Sequence, residues 1–142
     1  MIIIGYGSLM SKTSLQSTLG RPASLRKTTL TGYARIFNAP FDGYAFLNLT
    51  ASPGTMLEVA EFDITPPELE LFAVREAGSV LIEVSSSKYA FVWPDTATAE
   101  LAVLRSYVDH CRQGAGELGI NFHAGLILPE RIEDDMQAPI YV

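Results

Sequence analysis

The chain has 142 residues, of which 48% are hydrophobic and 18% charged, and ten Lys and Arg against sixteen Asp and Glu give a net charge of −6. This length predicts a single domain over residues 1–142, since domains most often contain about 100–150 residues. The composition favours a filled core over global disorder. An acidic chain with few cations argues against a protein that binds nucleic acid.

Metal sites, disulfides and membrane spans are also excluded by simple counts. The chain contains one cysteine, Cys111, and two histidines, so neither an internal disulfide nor a zinc site is expected. The longest apolar run is residues 89–93, far short of the ~20 residues that cross a membrane. No basic residue precedes the apolar start at residues 2–4, which argues against a signal peptide and for a cytoplasmic protein.

The first half of the chain predicts mainly strands. Residues 2–6 (IIIGY) read as a short buried strand, and residues 11–19 as a short helix with Ser11 as its N-cap and Gly20 after its end. Three segments rich in β-branched and aromatic residues predict strands at 28–37, 44–50 and 55–64. Between the last two, Pro53-Gly54 is typical of a turn and predicts an antiparallel hairpin.

The second half predicts helices as well. Residues 65–68 (TPPE) form a capping box, which predicts a short helix to about Val74. Two further strands are predicted at 80–84 and 88–93, followed by a helix at about 98–113 that Asp95 or Thr96 caps and Gly114 ends. We therefore expect an α+β protein with a mixed, mainly antiparallel β-barrel of about six strands flanked by helices.

The glycine-rich segment after the first strand is the strongest local feature. Glycines at positions 5 and 7 allow a sharp turn and close approach of a ligand to the backbone. Successive N–H groups there can face an anion or a developing oxyanion. The dinucleotide, phosphate-loop and nucleophile-elbow patterns all fail, because Met10 stands where glycine is needed and no Gly-Lys-Ser/Thr follows. A tight turn without a ligand is equally compatible with the spacing.

This segment (IIIGYGSLM) resembles the N-terminal Tyr-Gly-Ser signature of the gamma-glutamylcyclotransferase-like superfamily. The resemblance continues through residues 30–35 (LTGYAR), the strand after Pro53-Gly54, and residues 71–76 (LFAVRE), and covers about residues 1–84. It implies a mixed barrel and cofactor-free conversion of a γ-glutamyl compound to 5-oxoproline. It also implies a γ-glutamyl group held by Tyr6, Gly7, Ser8 and Leu9.

The same resemblance makes Glu76 the expected catalytic acid/base. Local chemistry agrees with this role, since a carboxylate just beyond the end of a helix meets an unfavourable dipole, and both this and burial raise its pKa. Arg35 shares a strand face with Tyr33 and can hold a substrate carboxylate through two hydrogen bonds if that face lines the cavity. A surface position for Arg35 is equally compatible with the sequence.

Three departures from the family pattern leave a second function open. Ala73 replaces the family's aspartate, while Ser79 and Leu81 replace residues that shape or anchor the substrate in relatives. The alternative is a ligand-binding or regulatory domain that has lost catalysis. A hydrolase with Ser8 as nucleophile is less favoured because no histidine lies near it in sequence. His110, Cys111 and His123 are interpreted as surface, helix-packing and loop residues.

Overall fold

The computed structural model describes residues 1–96 and 100–135. The strands in this part of the chain are β1 (Ile2–Gly5), β2 (Arg26–Phe41), β3 (Tyr44–Asp63), β4 (Val80–Ser85), β5 (Lys88–Val92), β6 (Val103–Leu104), β7 (Leu126–Ile127) and β8 (Ile132–Glu133). The α-helices are α1 (Lys12–Leu19) and α2 (Arg105–Glu117), and two 3-10 helices are formed by Ser8–Met10 and Pro66–Phe72. None of the helices described is long and apolar enough to cross a membrane.

Six strands form one sheet in the order β4-β5-β1-β3-β2-β7. The neighbours β1–β3, β2–β3 and β4–β5 are antiparallel, whereas β1–β5 and β2–β7 are parallel. The predicted α+β class with a mixed, mainly antiparallel sheet is therefore confirmed. Within the described residues the edge strands β4 and β7 do not pair, so the sheet is open rather than a closed barrel.

The sheet carries a hydrophobic cluster on each face, because successive side chains of a strand point to opposite sides. On β1, Ile4 belongs to the first cluster and Ile3 to the second. Helix α2 adds Cys111 and Ala115 to the first cluster, while α1 and the 3-10 helix Pro66–Phe72 add Leu15, Leu19 and Phe72 to the second. Strand β1 and helix α1, which precede and follow the glycine-rich segment, are therefore both packed in the hydrophobic core.

The predicted N-terminal helix and capping box are confirmed in detail. Ser11 Oγ accepts a hydrogen bond from Ser14 N at 3.2 Å, and Gly20 has the left-handed conformation (φ 70°) that ends a helix. Thr65 and Glu68 form the predicted capping box. The helix that follows is a 3-10 helix that ends at Phe72, two residues before the predicted Val74.

The predicted hairpin at Pro53-Gly54 is wrong. The chain reverses at Asp42-Gly43, where both residues have positive φ (51° and 82°), as a two-residue hairpin turn requires. Pro53 and Gly54 lie inside β3, at an irregularity where residues 52–55 stand opposite Gly32 alone. The two predicted strands are therefore one long bent strand, because a bulge tolerates proline and glycine as a turn does.

The predicted boundaries of the long helix are also wrong. Residues 98 and 99 lie outside the described residues, Val103–Leu104 pairs with Ile132–Glu133, and the helix runs from Arg105 to Glu117. Asp135, not Asp95 or Thr96, accepts a hydrogen bond from Ser106 N in the first turn, at 2.9 Å. A cap supplied from so far along the chain has no local sequence signal.

Candidate active site

The segment after β1 is held in a conformation that only small residues permit. A Cβ on Gly5 would lie 2.8 Å from the carbonyl oxygen of Leu9, and one on Gly7 would lie 3.1 Å from the hydroxyl oxygen of Tyr107. Ser8 begins the 3-10 helix, so the N–H groups of Ser8 and Leu9 have no partner within that helix. The chain therefore turns sharply beside Tyr107, and the N–H groups of Ser8 and Leu9 are not used by the helix.

Tyr6 fixes the start of this loop in the core. Its hydroxyl donates a hydrogen bond to the carbonyl oxygen of Phe91 at 2.5 Å, and only 6% of the residue is exposed. Burial raises the pKa of Tyr6 well above its usual value, and the charge of Glu76 raises it further. Tyr6 is therefore a neutral residue that orients the loop, close enough to Glu76 to sense its charge.

Glu76 lies on the turn between the 3-10 helix Pro66–Phe72 and β4. Its N–H donates to Phe72 O at 2.8 Å, and its carbonyl accepts a hydrogen bond from the hydroxyl of Ser79 at 2.6 Å. The indole N–H of Trp93 donates to the neighbouring Ala77 O at 3.2 Å. These contacts hold the backbone of Glu76 against the sheet, so the carboxylate has a defined position.

Arg75 connects this turn to the loop and to α1. Its Nη2 donates to Ser8 Oγ at 2.7 Å, while its Nη1 donates to Ser14 O and Thr18 Oγ1 at 3.3 and 3.1 Å. Its Nε lies 3.4 Å from Oε1 of Glu76. These two adjacent residues of the turn therefore form an ion pair.

The Glu76 carboxylate is an acid kept away from bulk water, with 8% of its side chain exposed. Burial raises its pKa above the ordinary value, and the charge of Arg75 partly offsets this. Burial, rather than the helix end considered from the sequence, is therefore the main cause of the shift. A carboxylate of this kind accepts a proton more readily than one in water.

Glu76 and the loop face the same space. An inner pocket of about 30 Å³ lies against Gly7, Ser8, Leu9 and Glu76. It continues into an outer cleft of about 310 Å³. The residues shared by the two spaces are Ser8, Leu47, Glu76, Trp93 and Tyr107. The structure thus brings together the predicted Tyr6, Gly7, Ser8, Leu9 and Glu76.

Arg35 is not part of this cavity wall, and the expectation that it binds a substrate carboxylate does not fit its position. It is completely buried, and it donates from Nε to Tyr6 O at 2.7 Å and from Nη2 to Glu58 O at 2.5 Å. Its guanidinium lies 5.4 Å from the ring centre of Phe122. Burial lowers the pKa of Arg35 to about 10, so it is still charged at neutral pH. Arg35 supports the loop from behind.

Ser8 and Cys111 are poor candidates for a nucleophile. The hydrogen bond to Ser8 Oγ comes from Arg75, and a guanidinium cannot act as a general base. Cys111 is completely buried, which raises the pKa of its thiol to about 12. His110, expected on the surface, is half-buried on α2, while His123 is exposed. Within the described residues, no three His, Cys, Asp or Glu side chains are grouped as metal ligands.

The three departures from the family pattern have identifiable places. Ala73 is exposed, Leu81 packs against the second hydrophobic cluster, and Ser79 holds the carbonyl of Glu76. Arg75 and Tyr107, which sequence reasoning had not assigned to the site, reach it instead. The sequence indicated only that Tyr107 occupies an apolar position of a helix. Its hydroxyl reaches Gly7 through tertiary packing, which the local sequence does not predict.

No protein-family model matches the chain, and no curated protein matches it in sequence. Solved structures do match. A gamma-glutamyl cyclotransferase is 14% identical over 83% of this chain and 79% of its own, with a TM-score of 0.71. The uncharacterized human protein loc79017 is 14% identical over the same shares, with a TM-score of 0.66. YkqA from Bacillus subtilis is 18% identical, with a TM-score of 0.64. The match covers 82% of this chain but only 48% of YkqA. At such low identities the comparison concerns architecture, and it shows that this chain has the gamma-glutamyl cyclotransferase-like fold.

Proposed function

We propose that the protein is a cofactor-free cyclotransferase that converts a γ-glutamyl amine, amino acid or peptide to 5-oxoproline and the free amine. The observation that carries this proposal is the shared cavity of Glu76 and the 6–9 loop. The fold, which is also that of a gamma-glutamyl cyclotransferase, supports it. A cytoplasmic location and a small-molecule γ-glutamyl partner complete the proposal.

The reaction is an intramolecular aminolysis. The α-amine nitrogen of the substrate attacks the γ-carbonyl carbon, the new C–N bond closes the five-membered ring, and the original amide C–N bond breaks. An α-amine has a pKa near 8 and is largely protonated at neutral pH, so a base must take up its proton. The proton lost by the ammonium passes to solvent, and Glu76 takes up the proton that leaves the attacking nitrogen as the ring closes. Glu76 donates this proton to the departing nitrogen, and the released amine regains the other from solvent, so no water is consumed.

The other groups of the proposed site stabilise the charge of the intermediate and orient the Glu76 carboxylate. The N–H groups of Ser8 and Leu9, at the start of the 3-10 helix, are the proposed donors to the oxyanion of the tetrahedral intermediate. Arg75 keeps the Glu76 carboxylate at the cavity wall and holds Ser8 by a hydrogen bond. In this way one guanidinium fixes the distance between the proposed base and the proposed donors.

The test is substitution of the proposed base. We expect Glu76→Gln to remain folded and to lose 5-oxoproline release by about 100-fold or more, because general acid–base catalysis is removed. Release from γ-glutamyl dipeptides, γ-glutamyl amines and glutathione is measured for both proteins. Glu70→Gln makes the same chemical change at an exposed position and is the matched control. Turnover retained by Glu76→Gln would exclude Glu76 as the base.

A non-catalytic binding domain is the second candidate. The ion pair between Arg75 and Glu76 favours it, because a paired carboxylate is a weaker base than an unpaired one. This function predicts stoichiometric binding of an amino-acid-like compound that is recovered unchanged. Calorimetry with a metabolite panel, followed by analysis of the ligand, separates the two candidates.

A further inference from the structure

The outer cleft has two kinds of lining. The β2–β3 hairpin contributes a hairpin wall, defined by Ala39, Pro40, Phe41 and Phe46. The loop, α1 and the turn contribute a polar wall, defined by Ser8, Ser14, Arg75 and Glu76. A bound γ-glutamyl group carries an α-amine and an α-carboxylate, so its charged end belongs at the polar wall. The rest of the substrate then meets the hairpin wall.

Aromatic rings lead from solvent to the reacting centre. Phe41 is 62% exposed and lies 6.1 Å from Phe46 in an edge-on arrangement, and Phe46 lies 4.8 Å from Tyr107 in the same manner. Tyr107 in turn stands against Gly7. Aromatic rings arranged in this way leave edges and faces that pack well against another ring.

Charge in the cleft is confined to one pair. Among the described residues that line it, Arg75 and Glu76 are the charged ones, and they pair with each other. The terminal nitrogens of Arg75 are also engaged by Ser8, Ser14 and Thr18. A second ammonium on the substrate, as in a polyamine or on the α-carbon of an ε-linked lysine, would therefore lose water without gaining a counter-charge.

We propose that the hairpin wall selects γ-glutamyl substrates whose leaving amine carries an apolar, preferably aromatic, side chain. This inference rests on the proposed cyclotransferase function and names its substrate class. The volume of the cleft, about 310 Å³, is at the lower end of the range of small-molecule sites. It suits one compact side chain better than a long peptide.

The first measurement compares substrates that differ only in the leaving amine. We expect kcat/KM for 5-oxoproline release from γ-glutamyl-phenylalanine and γ-glutamyl-leucine to exceed that from γ-glutamyl-glycine by about tenfold or more. The compounds γ-glutamyl-ε-lysine and γ-glutamyl-putrescine should fall at or below γ-glutamyl-glycine.

The second measurement removes the outermost ring. Phe41→Ala should raise KM for γ-glutamyl-phenylalanine several-fold with little change in kcat, since a contact at the rim is the same in the ground and transition states. Its KM for γ-glutamyl-glycine should change less, because glycine has no side chain to contact the ring. Met56→Ala is the matched control, because Met56 has the same 62% exposure on the neighbouring strand but does not line the cleft.

The outcomes separate the two proposals. Turnover with equal rates for all amines, or with a preference for the cationic ones, would overturn the apolar specificity and leave the cyclotransferase function standing. So would an equal response of both substrates to Phe41→Ala. Absence of 5-oxoproline from every substrate, with folded protein, would overturn the function and the specificity together.

Discussion

The pKa of Glu76 depends on two opposing effects, the burial of its carboxylate and the charge of Arg75. Burial disfavours the charged carboxylate, whereas the Arg75 guanidinium 3.4 Å away favours it. Burial is the larger effect, so the pKa is raised, which is the direction a proton acceptor needs near neutral pH. The charge of Arg75 acts in the opposite direction and lowers the pKa of Glu76.

The raised pKa has a consequence for stability. The folded protein holds the Glu76 proton more tightly than the unfolded chain. The group's stabilising contribution is therefore complete below the unfolded pKa and is lost as pH rises through the raised one. Because glutamine does not ionise, we expect the Tm of Glu76→Gln minus that of the wild type to be larger at about pH 8 than at about pH 4. Thermal melts followed by circular dichroism measure it. A difference that is constant or shrinks with pH would show that burial does not dominate.

A second prediction for a single residue concerns the buried Arg35. Its removal leaves the carbonyls of Tyr6 and Glu58 without their buried donor. We expect Arg35→Ala to lower the free energy of unfolding by about 2–6 kcal/mol, since each of the two buried carbonyls left without a donor costs about 1–3 kcal/mol. Urea denaturation gives this value. A variant of unchanged stability with a raised KM would instead support the substrate-binding role expected from the sequence.

At the scale of a secondary-structure element, the extent of helix α2 depends on the residues that pack against it. Gly114, which the sequence suggested as the end of the helix, lies inside it and faces the start of α1. A Cβ there would lie 2.8 Å from both the Cα and the backbone nitrogen of Ser11. The glycine therefore permits the close approach of two helices and does not terminate one.

Two glycines of the same helix test this explanation. Gly114→Ala should be destabilising, because overpacking costs about 1–3 kcal/mol and exceeds the gain of about 1 kcal/mol in helix propensity. Gly116→Ala is the control, since a Cβ at Gly116 meets nothing within 4 Å and should stabilise by about 0.5–1 kcal/mol. Thermal or urea unfolding compares them. Equal effects of the two substitutions would contradict the close-approach argument.

At the scale of the whole molecule, the cavity exists because elements from distant parts of the chain meet at the end of β1. The loop follows β1, Glu76 precedes β4, Trp93 follows β5 and Tyr107 lies on α2. The β2–β3 hairpin adds the apolar side of the cleft. Helices pack on both faces of the sheet, and the cavity lies at this end of it.

The sequence by itself determined the local structure wherever the signal was local. The strand at 2–6, the Ser11 cap, the capping box at 65–68 and the strands near 80–84 and 88–93 all follow from residues within a few positions of one another. The loop and Glu76 were also selected from sequence, through the resemblance of short motifs. Fold class followed because the order of strands and helices restricts how they can pack.

Only the tertiary structure decided which of two locally equivalent outcomes occurs. Pro53-Gly54 suits a turn or a bulge, and pairing with β2 selected the bulge. Arg35 suited a cavity wall or a surface, and it is in neither place, because its donors meet backbone carbonyls inside the core. The Arg75–Glu76 pair and the contact of Tyr107 with Gly7 likewise depend on how the turn and α2 pack against the loop. The contact of Tyr107 with Gly7 joins residues far apart in sequence. Arg75 and Glu76 are adjacent, but the local sequence does not decide whether the side chains of neighbouring turn residues meet.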